Sequence, residues 1–152
     1  MSLRIINPEE LGAPKGFSHG VLAPEGGRVL FVAGQNASRD ESGVQAKIRS
    51  DFVRQFAIAL ERVLGVVREA GGGPEDIGRM TIYVTDMAGY HSGRARLGAA
   101  YRELMGRHFP AMSLVEVTDL VDEGAIVEIE ATAVLSPRSS VSPRSSGGEE
   151  AG

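Results

Sequence analysis

Glu128 and Glu130 stand two residues apart in the β-branched run VEIEATAV at 127–134. On a strand, that spacing puts both carboxylates on one face, about 6.5–7 Å apart. Ile126, Thr132 and Val134 share that face, which sets the carboxylates among largely apolar neighbours. Such a setting raises a carboxylate's affinity for protons and suits it to general acid–base work. The competing reading is a pair that is solvated, or matched with arginine across an interface. Ser18 and His19 in GFSHG suggest nucleophilic catalysis, but adjacent strand residues point to opposite faces and no third group orients the imidazole. His19 is therefore read as structural or pocket-lining. His91 and His108 have no metal-ligand spacing and cysteine is absent, so no metal site is expected. Gly34, just before Gln35 and Asn36, can let backbone N–H groups face a ligand, although the rest of a phosphate loop is missing. Gly71-Gly72-Gly73-Pro74 reads as a helix stop and not as a dinucleotide fingerprint.

The chain that must position these groups has 152 residues, a length that suits one domain. A net charge of −4 and scattered arginines disfavour a nucleic-acid partner, which usually needs a clustered basic face. No apolar run approaches the roughly 20 residues of a membrane span. The N-terminal MSLRIINPEELGAPKG lacks the apolar stretch of a signal peptide, and a cytoplasmic location is expected. Residues 1–135 carry periodic patterns and form the expected domain. The tail at 136–152, SPRSSVSPRSSGGEEAG, is too poor in apolar residues to offset its ordering entropy, and disorder is expected there.

The early pattern predicts short strands at Leu3–Ile6, Ser18–Leu22 and Arg28–Ala33, with Glu25-Gly26-Gly27 as a hairpin turn. Gly34 is expected to close the third strand, with loop from Gln35 to Gly43. Ile48, Phe52, Phe56, Leu60, Val63, Leu64 and Val67 recur at helical spacing and predict a helix over Val44–Ala70. Ile77–Thr85 predicts a strand with Ile82 and Val84 on one face and Thr81 and Tyr83 on the other. Asp86 is placed to cap a second helix over Ala88–Gly106, whose buried side is Leu97, Ala100, Tyr101, Leu104 and Met105. A closing strand pair is expected at Met112–Thr118 and Ala125–Leu135, with Asp122-Glu123-Gly124 in the turn. Val127, Ile129, Ala131, Ala133 and Leu135 should face the helices, and Met112, Leu114 and Glu116 should share a face. This order implies α+β architecture, a mixed sheet with both helices on one face. The other face has no helix to cover it, so an oligomer with partly polar seams is expected.

The pieces NPEELGAPKGFSHGV, FVAGQ, REAGG, IGRMTIYVTDM, FPA and VEIEATAV, in this order and spacing, resemble the reactive intermediate deaminase (Rid, or YjgF) family, also labelled L-PSP endoribonuclease. The resemblance spans about residues 7–135. It implies a chorismate-mutase-like fold, with a six-stranded mixed sheet, and a homotrimer with clefts between subunits. It implies water attack on an imine or enamine metabolite, giving a 2-oxo acid and ammonia without metal or organic cofactor. Glu128 matches the family's water-positioning carboxylate, and Phe17, Ser18, Ala33, Gly34 and Met112 fall at substrate-binding positions. Three of these depart from the pattern. Met112 stands for an Arg, Phe17 for a Tyr and Ala33 for a Ser, while GYHSGRARLGAAY carries about one extra helical turn. A thioether cannot replace the donor fork of a guanidinium on a carboxylate. The ligand is therefore expected to be less polar than a small 2-imino acid, or to find its anion contact at Arg94, Arg96 or Arg107. The alternative is a non-catalytic small-molecule-binding or regulatory trimer. Ribonuclease activity is disfavoured by the acidic charge and the lack of paired histidines.

Overall fold

The computed structural model describes residues 2–37 and 51–137. The chain runs through β1 (Arg4–Ile6), β2 (Gly20–Leu22), β3 (Arg28–Asn36), α1 (Phe52–Glu69), β4 (Ile77–Val84), α2 (Met87–Ser92), α3 (Arg94–Met105), β5 (Ala111–Glu116) and β6 (Val127–Leu135). Short 3₁₀ turns sit at Glu9–Leu11 and Pro74–Asp76. The expected helical portion before Asp51 and the tail at 138–152 lie outside the described residues.

Helix α1 forms the centre of the core. Phe56, Leu60, Val63, Leu64 and Val67 recur at three and four and are essentially inaccessible. Burying each contributes about 1.5–3 kcal/mol. Against this stripe lies β6, whose Val127, Ile129, Ala131, Ala133 and Leu135 are all buried, as their alternation predicts. The register agrees with the face assignment in β4, where Ile82 and Val84 are buried and Thr81 and Tyr83 are partly accessible. Helices α1, α2 and α3 lie on one side, and the architecture is α+β as expected.

Several expectations are corrected. The six strands form two sheets, a pair β1-β2 and a mixed sheet in the order β3-β6-β4-β5. The turn at Gly26-Gly27 is tight, with Gly27 N–H bonded to Pro24 O at 3.2 Å, but it joins different sheets and makes no hairpin, because β2 pairs with β1 instead. Strands β5 and β6 are not partners either. β5 pairs in parallel with β4 through the crossover that α2 and α3 supply, as a parallel pair requires, and β4 separates it from β6. Helix α1 begins at Phe52, because Asp51 is extended and its side chain accepts from Arg54 N–H at 3.2 Å. The single second helix is two. Asp86 caps α2 by accepting from Gly89 N–H at 2.8 Å, and the chain then breaks at Gly93. A Cβ at Gly93 would come within 2.9 Å of Val53 Cγ2, so only glycine lets this joint press against α1. Tyr101 and Met105 are buried on α3, while Leu97, Ala100 and Leu104 are partly so.

The open face of the larger sheet carries Phe31, 80% exposed, and Val29, 56% exposed, beside Thr81, Tyr83, Glu128 and Glu130. This is the mixed apolar and polar surface expected of a seam between subunits.

Candidate active site

Strand β3 does not end at Gly34 but continues to Asn36 through a bulge. Val32 pairs with Ala131 and Gln35 with Ile129, so Ala33 and Gly34 together oppose Glu130 alone. An extra residue in one strand shifts the facing of everything after it. Here the shift pairs Asn36 with Glu128. Asn36 Nδ2 donates to Glu128 Oε1 at 3.1 Å and to Asp122 Oδ2 at 2.8 Å. Gly34 faces the same carboxylate, and a Cβ there would lie 2.8 Å from Glu128 Cδ. Ala33 is exposed on the bulge.

The position of Asp122 is set from α1. Buried Gln55 donates from Nε2 to Gly124 O at 2.9 Å, and its Oε1 accepts from Ile126 N–H at 2.9 Å. The turn that carries Asp122 is thereby pinned to the helix. Glu130 has a different environment from Glu128. It is exposed, and its Oε1 accepts from Tyr83 O–H at 2.8 Å. That hydrogen bond holds the Tyr83 phenol above the usual tyrosine range, with the Glu130 charge adding to it. Of the two carboxylates, only Glu128 is half-buried and backed by an amide donor.

The remaining expected residues gather elsewhere. Phe17 and Met112 line a cavity of about 390 Å³ with Tyr101, Phe109 and Leu114. That volume suits a small ligand. Ser18 holds this arrangement from behind. It is buried, its hydroxyl donates to Phe109 O at 2.5 Å and its N–H to Pro110 O at 3.0 Å. These bonds tie the N-terminal loop to the start of β5 and set Phe17 beside Met112. Tyr101 stacks on Phe109 with centroids 5.1 Å apart and donates its hydroxyl to His108 O at 2.7 Å; burial pushes its phenol far up. A larger open hollow of about 1000 Å³, lined by Leu30, Gln35, Arg62 and Glu69 among others, contains none of the expected site residues.

The two groups lie on opposite faces of the sheet. Met112 pairs with Met80 and Met80 with Ala131, on the helix side. Glu128 pairs with Tyr83, on the open side. Ser18 and His19 diverge as expected, for His19 turns away to Gly12 O at 3.1 Å while Ser18 points inward. Of the candidate arginines, Arg94 lines the cavity, Arg96 bonds to Asp51 at 3.4 Å, and Arg107 is not in the lining. Arg102 and Lys15 line the cavity too and were not foreseen. No three His, Asp or Glu side chains converge to hold a metal among the described residues. No helix among them is long and apolar enough to cross a membrane.

Residues 8–135 match the family described as Endoribonuclease L-PSP. A RutC family protein of Pyrococcus abyssi is 30% identical over 133 residues, covering 88% of this chain and 98% of its own. TdcF of Escherichia coli, named as a reactive intermediate deaminase, is 31% identical over 72% of this chain and 81% of its own. Its crystal structure with bound serine superposes with a TM-score of 0.61 at 28% identity, covering 82% of this chain and 92% of that one. The crystal structure of YyfB, a Rid family protein of Yersinia pestis, gives a TM-score of 0.71 at 34% identity, with 89% of this chain and 100% of that one covered.

Proposed function

The chain belongs to the Rid (YjgF, Endoribonuclease L-PSP) family, and from that premise we propose that it hydrolyses an imine or enamine metabolite in a cleft built from two subunits. The observation that carries this reading is the Glu128 carboxylate, half-buried, held by Asn36 and facing the bare backbone of Gly34. A carboxylate oriented by an amide is suited to hold a water and take its proton. As that proton leaves, the water oxygen bonds to the imine carbon. Glu128 then returns that proton to the nitrogen, giving a carbinolamine. The carbinolamine hydroxyl next gives up its proton, which Glu128 passes to the amine nitrogen, and as the C–N bond breaks a carbonyl compound and ammonia depart. Phe17, Met112 and Leu114 contact the ligand, while Ser18 positions Phe17 and Gly34 leaves room for the Glu128 carboxylate.

Because Met112 and Glu128 lie on opposite faces of one sheet, a single chain does not bring them together. A homotrimer in which the open face of one subunit meets the cavity edge of the next would do so, and exposed Phe31 and Val29 favour such contact. The serine bound in the TdcF crystal supports a ligand of amino-acid size. The replacements at Phe17, Ala33 and Met112 favour a substrate shifted away from small 2-imino acids, and they also leave room for a second reading, a trimer that binds a metabolite without converting it.

Ammonia release from imino acids generated in situ tests both. Glu128→Gln should abolish acceleration while leaving the oligomer mass unchanged. Turnover that persists in this variant refutes the role of Glu128. A metabolite that raises the melting temperature of the native protein yet is never consumed supports the binding-only reading.

A further inference from the structure

The cavity that holds Met112 has aromatic walls and a basic mouth. Lys15, Arg94 and Arg102 line it, and no Asp or Glu does. Arg94 and Arg102 are eight residues apart on α3, a little over two helical turns, and both line the cavity with Gly98 between them. Gly98 has no side chain to separate them, and the Arg102 guanidinium lies 3.3 Å from where a Cβ would stand. Arg94 sits over the Tyr90 ring at 5.8 Å, a contact that leaves its N–H donors available at the edges. None of the three cations forms an ion pair among the described residues, whose ion pairs are Arg68–Glu61 and Arg96–Asp51. Like charges gathered at one opening repel each other, and a bound anion relieves that repulsion. The floor is the reverse, for Met112 and Leu114 offer no donor to a carboxylate.

Resting on the hydrolase reading of this cleft, we propose that its anion contact lies at the mouth. Lys15, Arg94 and Arg102 take the carboxylate of a 2-oxo or 2-imino acid whose aromatic side chain fills the cavity over Met112. The volume of about 390 Å³ and the rings of Phe17, Tyr90, Tyr101 and Phe109 fit such a body. Arginine suits the task because its planar fork matches a carboxylate. The preferred ligand is therefore larger than pyruvate and carries its charge at the end away from the floor.

Calorimetric titration of the full chain with phenylpyruvate, pyruvate and the neutral ketone 1-phenylpropan-2-one tests this. Phenylpyruvate should bind most tightly. The neutral ketone should be weaker by at least about tenfold, and so should phenylpyruvate against Arg94→Gln/Arg102→Gln. Arg96→Gln, which removes a charge from the same helix but away from the cavity, should leave affinity unchanged. Equal affinity for the neutral ketone, an unaffected double variant, an equal loss in Arg96→Gln, or no binding of phenylpyruvate would each overturn the proposal. Failure of the hydrolase reading looks different. Phenylpyruvate would then bind with the predicted charge dependence, while its imine would be hydrolysed no faster than without protein.

Discussion

Replacing Gly34 with alanine probes the catalytic proposal with a single methyl group. Gly34 is not among the glycines with positive φ, so alanine can adopt its backbone without strain. The new Cβ would stand 2.8 Å from Glu128 Cδ, 3.0 Å from Cγ and 3.1 Å from Oε2. A side chain can move where a backbone cannot, and Glu128 would swing aside. Doing so breaks its 3.1 Å bond from Asn36. A hydrogen bond to a charged group contributes about 1.5–3 kcal/mol. If that orientation serves the transition state, kcat falls by about 10- to 150-fold. The lost bond should also cost some stability, offset in part by the about 0.4–1 kcal/mol that Gly→Ala contributes at a compatible backbone position. The assay is steady-state ammonia release, with thermal melting measured on the same preparation. In Glu128→Gln, adding Gly34→Ala should cost nothing further, because both changes act on one group. Undiminished turnover in Gly34→Ala, or losses that simply multiply in the double variant, would refute the claim that Gly34 acts by making room for Glu128.

Other residues allow further tests. Gln55→Leu leaves Gly124 O and Ile126 N–H without their partner and should destabilise the fold by about 1–3 kcal/mol per group, read from denaturant unfolding. Asp51 accepts the Arg54 N–H, a bond that holds its carboxyl below the usual value of 3.8, with Arg96 adding to the shift. A depressed folded-state pKa gives stability that is present above 3.8 and lost as pH falls through the folded value. Asp51→Asn, which keeps a capping oxygen but no charge, should therefore lower the melting temperature slightly at neutral pH and converge on the native protein in acid, flattening the acid limb of the profile. Phe31→Asp should reduce the proposed trimer to monomers in sedimentation, because it sets a charge in the middle of the open face. Met112→Arg should improve affinity for pyruvate by at least about tenfold, by restoring a donor fork to the cavity floor.

The elements with a strong local period were legible from sequence. The α1 stripe and the alternation in β6 needed no knowledge of partners, and both faces were assigned correctly. Pairing was not legible to the same degree. Nothing local in Met112–Thr118 distinguishes a strand beside β6 from one beside β4, since that depends on the crossover through α2 and α3. The bulge at Ala33-Gly34 hid a further residue. Asn36 was noted only as part of a glycine-led turn, yet the bulge makes it the partner of Glu128. An alignment of RVLFVAGQN against VEIEATAVL as antiparallel strands, with one residue inserted, would have exposed that contact. Gln55 gave a weaker sign, as the polar residue between Phe52 and Phe56 on an otherwise apolar helix side. Lys15 and Arg102 had no local signal, because they meet only through the cavity they line.

The positions that depart from the family pattern are unevenly distributed. Phe17 and Met112 line the cavity. Ala33 flanks Gly34 on the bulge, and none of the three belongs to the Glu128–Asn36–Asp122 hydrogen-bonded group. A chain that had lost its chemistry while keeping its fold has no structural need for an amide aimed at a half-buried carboxylate, or for a glycine that makes room for that carboxylate. Burying Asn36 between two carboxylates costs desolvation, and apolar packing could fill the same volume. Losing polar groups on the floor while cations gather at the mouth is what a change of ligand requires. The arrangement therefore favours altered specificity over lost activity, and it ties the two proposals to separate halves of the cleft, each open to its own substitution.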